Sequence, residues 1–258
     1  MNEANDYCEY SKWLREVAAN AQHPFARDSE SMVKYCLDWD TKMPRQYGWR
    51  FTDMESFRKQ VEGIKDSVDQ VNRVYWHDMA RNIEAYGVMT FWRGGELLRS
   101  AIRSLNVHDI LSPAVLSRSL LELSASLIEN SNLIRKNVEQ IKNSPDSGVI
   151  VSDGLEEFLV RIIWGTRLGN PPEFLKQRNI LNCIQRCSKH PAASDLLPVY
   201  EFLCEVAHPN VIGNARFWGK VECLGVASLL FTSRWETGRP DWCPNVERKR
   251  LLQIVLCE

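Results

Sequence analysis

Residues Ser112 to Ile128 read S-P-A-V-L-S-R-S-L-L-E-L-S-A-S-L-I. The stretch opens like a helix: Ser112 can cap free backbone N–H groups, and Pro113 suits the first helical position. From Pro113 to Ile128 only Arg118 and Glu122 are charged. Leu116, Leu120, Leu123 and Leu127 make one stripe at helical spacing, and Leu121, Ala125 and Ile128 make a second beside the charged pair. A helix that is apolar on more than one side is covered on more than one side. The pattern predicts the central helix of an all-α domain, with one ion pair set into its wall and a more polar continuation to Ile141.

On either side of it the chain carries helical periodicity joined by short turns, which predicts an antiparallel helical bundle with an N-terminal helical extension. The extension covers residues 1–52 and the bundle 53–258. In the extension, Tyr7 to Ala21 and Arg27 to Asp40 read as helices, the second with Met32, Tyr35, Cys36 and Trp39 on its apolar side, and Thr41 to Thr52 as a loop. Asp53 to Tyr86 repeats apolar residues at Phe57, Val61, Ile64, Val68, Val71 and Tyr75, and predicts one long amphipathic helix continued by Phe91 to Leu105. The Gly94-Gly95 pair inside it disfavours a helix, so the chain breaks there or another part packs closely against it. After a loop at Asn143 to Gly154, helices are expected at Leu155 to Leu168, Phe174 to Ser188, Leu196 to Ala207, Ala215 to Trp235 and Val246 to Cys257.

Bulk properties narrow the function. The 258 residues are 44% apolar and 25% charged, with a net charge of −1, so no global basic field argues for nucleic acid, although a local basic groove remains open. The acidic, polar start has no signal-peptide pattern, and no stretch reaches the apolar length of a membrane span. With that start, the eight Cys read as reduced, mostly buried thiols of a cytoplasmic protein. No phosphate-loop, nucleophile-elbow or H-E-x-x-H motif is present, and no cofactor motif is read.

Three constellations bear chemistry. Tyr200 to Asn214 reads Y-E-F-L-C-E-V-A-H-P-N-V-I-G-N; Pro209 ends a helix at Ala207 or His208, and Asn210 opens the following turn. His208 is then either a helix-end cap or the polar group of a site. Arg118 and Glu122 lie one turn apart, either as a buried pair fixing helix register or as the charged wall of a pocket facing His208. Metal readings are weak. Glu205-x-x-His208 has di-metal spacing but only one copy, and Cys183, Cys187 and His190 lie on one face without a C-x-x-C knuckle, which favours core thiols.

The R-S-L-L-E of Arg118 to Glu122, the His-Pro-Asn turn at His208 to Asn210 and the G-G-E-L-L-R of Gly94 to Arg99 resemble a group of bacterial helical proteins related to the HEPN superfamily. That resemblance implies action on RNA or nucleotides in bacterial stress or defence, metal-independent ribonuclease chemistry and a homodimer. On it, His208 is the acid/base, Arg118 binds phosphate, Glu122 orients Arg118 and Asn210 assists. HEPN ribonucleases carry Arg and His on one helix with four to six residues between them; that spacing occurs here once, at Arg103 and His108. The second reading is a non-catalytic helical module that binds a protein partner or itself, with the same residues as core contacts.

Overall fold

The computed structural model describes residues 9–21, 25–48, 52–142, 148 and 150–209, together with the backbone of strands at Trp218–Gly225 and Ser228–Ser233. The described helices are α1 (Lys12–Asn20), α2 (Ser29–Lys42), α3 (Met54–Val61), α4 (Ser67–Asn106), α5 (Leu111–Lys142), α6 (Asp153–Trp164), α7 (Ile180–Cys187) and α8 (Leu196–Ala207). The body is all-α. Among the described residues no helix is long and apolar enough to cross a membrane.

The central helix runs the full predicted length. It begins two residues before Pro113, the expected first position: Leu111 is already helical, so Ser112 lies inside the helix instead of capping it, and Asp109 organises the start, accepting from the Ile110 N–H and the Ser112 hydroxyl. The turn before it ends α4 in a Schellman motif. The Asp109 N–H donates to the Ser104 carbonyl and the His108 N–H to the Leu105 carbonyl, with His108 at φ 64° where glycine is usual. The His108 ring stacks on Trp13 at 4.2 Å.

Helices α4 and α5 are antiparallel. Asn130 donates to the Tyr86 hydroxyl at 2.8 Å, and a Cβ on Gly94 would meet Leu123 at 3.6 Å, so residue numbers fall on one helix as they rise on the other. Helix α8 returns antiparallel to α5, with Tyr200 bonded to Glu122 and Val206 near Ala114. One core cluster joins Ala125 of α5 to Cys183 and Ile184 of α7 and Tyr200 of α8. A second joins Met79 of α4 to Leu155 and Leu159 of α6, with Ile134 and Val138 of α5 packed against it. The second apolar stripe of α5 is split: Ala125 is buried, Leu121 packs on the first cluster, and Ile128 is exposed.

Four expectations are corrected. The helix predicted over Asp53 to Tyr86 is two helices. Gly63 turns at φ 81°, and Asp66 caps the new start by accepting from the N–H groups of Val68 and Asp69. The helix predicted over Phe174 to Ser188 begins at Ile180; before it lie a short 3-10 turn at Glu173–Leu175 and an isolated parallel bridge between Thr166 and Lys176. Within the helix predicted over Ala215 to Trp235, the described residues Trp218–Gly225 and Ser228–Ser233 are instead antiparallel strands, with Val221 opposite Phe231 and Glu222 opposite Leu230. Gly219 and Gly225, poor helix residues, lie within the first strand. The helix at Val246 to Cys257 falls outside the described residues. Finally, the apolar side of α2 faces outward: Tyr35 is 64% and Trp39 47% exposed, with Met32 and Cys36 also exposed, while Leu37 and Asp40 are buried.

The N-terminal segment docks on the second half of α4. Tyr10, Leu14 and Ile102 form a third core cluster, and Asn106 accepts from the Ser11 N–H and donates to the Glu9 carbonyl. Helix α4 is unbroken at Gly94-Gly95. The close approach comes from a side chain: a Cβ on Gly95 would lie 2.6 Å from Asp40 Oδ1. Asp40, 4% exposed, pairs with Arg99 and Arg45.

Candidate functional site

The sequence-predicted pair forms. Arg118 Nε donates to Glu122 Oε1 at 3.1 Å, one helical turn along α5. Tyr200, brought by α8, donates its hydroxyl to the same oxygen at 3.1 Å, and the Arg118 guanidinium lies 5.5 Å from the Tyr200 ring centre. Arg118 and Glu122 are partly buried and Tyr200 is buried, so the pair is neither a loose surface bridge nor a sealed core pair. Burial, Cys204 and Glu122 raise the Tyr200 pKa, so its hydroxyl keeps its proton and remains a donor. Burial pulls the Arg118 pKa down, but bonding to Tyr200 and Glu122 and the charge of neighbouring groups outweigh it and the net shift is upward.

Glu122 also lines a cavity of about 410 Å³ walled by α4, α5, α6, α7 and the segment between α6 and α7. Its position follows from helix spacing. Tyr86, Thr90 and Arg93 lie at i, i+4 and i+7 on α4; Ser119, Glu122, Ser126 and Asn130 lie along one face of α5. The Tyr86–Asn130 bond marks one level, and the Gly94–Leu123 contact sets Arg93 near Glu122 at another, about 12 Å along the helix axes. From the other side come Arg161 of α6 and Arg167 and Arg178 of the connecting segment.

The charge of this lining is lopsided. Four arginines and one carboxylate face the cavity. Arg161 is paired with Glu157 at 2.8 Å. Arg93, Arg167 and Arg178 have no carboxylate within 4.0 Å among the described residues; Arg167 donates to the Arg178 carbonyl, and Arg178 lies over the Phe158 ring. Nearby guanidiniums without counter-charges favour an anion between them, held by charge-assisted, often paired, hydrogen bonds. None of these arginines belongs to a recognisable spacing. They come from three separate parts of the chain, and only the folded position of α6 beside α4 and α5 gathers them.

The remaining sequence candidates lie elsewhere. His208 is exposed at the C-terminal end of α8, where its N–H donates to the Cys204 carbonyl. It stands about 12 Å along the helix from Tyr200. That end of α8 flanks a different cavity of about 200 Å³, lined by Trp13, Leu105, Pro113, Phe202 and Val206 and almost wholly apolar. His208 lines neither cavity. Asn210 lies outside the described residues. Arg103 and His108 fall on opposite sides of the end of α4, with His108 engaged by Trp13. Cys183 and Cys187 are core thiols of α7, and among the described residues no group of three His, Cys, Asp or Glu is placed to hold a metal ion.

No family model matches the chain, and neither a curated protein nor a solved structure matches it.

Proposed function

We propose that this helical protein binds the phosphate of an RNA or nucleotide in the arginine-lined cavity. The observation that carries the reading is the absence of a carboxylate within salt-bridge distance of Arg93, Arg167 and Arg178 among the described residues, although all three face one hollow. The near-neutral net charge of the chain is compatible with it, because a local cluster attracts an anion without a global basic field. The resemblance carried by R-S-L-L-E and the His-Pro-Asn turn adds the RNA-directed stress or defence setting. Binding is the part that the geometry supports. A ribonuclease step through His208 would need that imidazole at the bound phosphate, and His208 is not among the cavity's lining residues.

Calorimetry of the full chain with nucleoside monophosphates and a short RNA, at low and moderate salt, tests the reading. Arg167→Ala and Arg178→Ala should each weaken binding by tenfold or more, since a charge-assisted hydrogen bond contributes about 1.5–3 kcal/mol. Affinity indifferent to both substitutions and to salt would remove the cavity as the binding site.

A second reading, self-association or protein binding, is favoured by one observation: Met32, Tyr35 and Trp39 form an exposed stripe on α2. It expects concentration-dependent dimerisation in sedimentation, abolished by Trp39→Glu. A monomer at all concentrations would leave the homodimer reading without support from this face.

A further inference from the structure

We infer that the ligand of the arginine-lined cavity carries a ribose, and that Glu122 accepts a hydrogen bond from its 2′- or 3′-hydroxyl. The inference rests on the phosphate-binding reading and deepens it. A cavity built for an anion alone gains nothing from a carboxylate, which repels a phosphate placed near it. Glu122 is nevertheless the one carboxylate lining this cavity among the described residues. Its side chain is 28% exposed, so it is not hidden from what enters.

The carboxylate is also held in a particular way. Arg118 and Tyr200 both donate to Oε1, and among the described residues no donor is bonded to Oε2. An ionised carboxylate offers about four acceptor positions on its two oxygens, and the unused ones belong mostly to Oε2. The complementary group on the ligand is therefore a donor. It is a neutral donor, because four arginines around the same hollow disfavour an ammonium. A hydroxyl meets both conditions. Ser119 and Ser126 flank Glu122 on the same face of α5 and add hydroxyls that can bond a polyol on either side. Arg167 and Arg178, which come from the other side of the cavity, then take the phosphate. A hydroxyl-bearing sugar joined to a phosphate spans such a site, and a cavity of about 410 Å³ is of the size that takes one small polar ligand. A free ribonucleotide and the end of an RNA strand share this chemistry.

The test is calorimetry of the full chain with an equimolar set of ribonucleoside 5′-monophosphates, the matching 2′-deoxy and 2′,3′-dideoxy sets, inorganic phosphate, and a 5′-phosphorylated RNA tetramer. The ribose set should bind about tenfold or more tighter than the dideoxy set, with one of the two hydroxyls responsible. Glu122→Gln should erase that preference while phosphate binding survives, and Glu122→Asp, which keeps the charge but draws it back, should reduce it. A tetramer that binds more tightly than the monophosphates assigns the site to RNA ends, and the reverse order to free nucleotides; both support the inference. Equal affinity of wild type for the three sugar sets overturns it and leaves the phosphate reading standing. Binding of none of the probes, phosphate included, overturns both. The wild-type comparison needs no substitution, so a variant that fails to fold does not decide the matter.

Discussion

Gly94 and Gly95 are neighbours in sequence with opposite tolerances. A Cβ at Gly94 would make an ordinary contact with Leu123, so Gly94→Ala should stabilise the protein by about 0.5–1 kcal/mol through helix propensity. A Cβ at Gly95 would meet the Asp40 carboxylate at under 3 Å, and Gly95→Ala should destabilise by about 1–3 kcal/mol. Urea unfolding of the two variants reads both signs. If Gly95→Ala is neutral, the Asp40 contact is not a constraint. The sequence announces that something unusual happens at the glycine pair, but not which glycine matters. The deciding group is a buried aspartate in another helix, and Asp40 sits next to Trp39, which the apolar pattern had turned inward. A four-residue apolar side outweighs one aspartate in any periodicity count, yet burial of Asp40 with Arg99 turns the helix the other way.

At the scale of elements, periodicity found the helices and missed the interruptions. The beat of Phe57, Val61, Ile64 and Val68 continues across the break between α3 and α4, and all four residues are half-buried, so the apolar pattern carries no sign of the stop. The stop is carried by Gly63 and the new start by Asp66, two residues with no hydrophobic signal. Gly63→Ala should cost about 1 kcal/mol, since φ 81° disfavours a Cβ, and chemical denaturation measures it. No loss would mean that the turn relaxes to another geometry. In the α4–α5 pair, Tyr86 and Asn130 bond in a largely buried setting, and burial raises the Tyr86 pKa. Asn130→Leu removes the amide donor from the Tyr86 hydroxyl, leaving it Thr90 alone, and should cost about 1–3 kcal/mol, whereas adding Tyr86→Phe to it should recover part of that loss. The cycle fails if the two losses simply add. The pair was invisible in sequence because forty-four positions separate its members.

The molecule as a whole is an N-terminal pair of helices docked on a bundle, and the fastening of those two helices to each other depends on pH. Glu30 accepts from Arg15 Nε and Nη2 and from the Tyr10 N–H. Bonding to Arg15 and the nearby Lys34 outweigh burial and hold its pKa at about 2, against an ordinary 4.5. A depressed carboxylate pKa contributes stability that is complete above about 4.5 and is lost as pH falls toward 2. The protection factor of the Tyr10 amide, corrected for the intrinsic exchange rate at each pH, should therefore fall over that range, and Glu30→Gln should remove that fall. An unchanged profile in the variant would show that Glu30 is not the fastening. At this scale the candidate site was half legible. Arg118 and Glu122 stood out because they are the only charges in an apolar helix, and they do meet. The arginines of the cavity did not, since each is an ordinary surface residue of its own segment and their gathering is a property of helix packing. The Asp40–Gly95 contact has a historical consequence. The two residues belong to separate parts of the chain, and neither can change alone without leaving a clash or an unpaired guanidinium. In lineages descended from this sequence, position 95 should therefore accept a side chain only after position 40 has lost its carboxylate, so the two sites should be inherited as a linked pair.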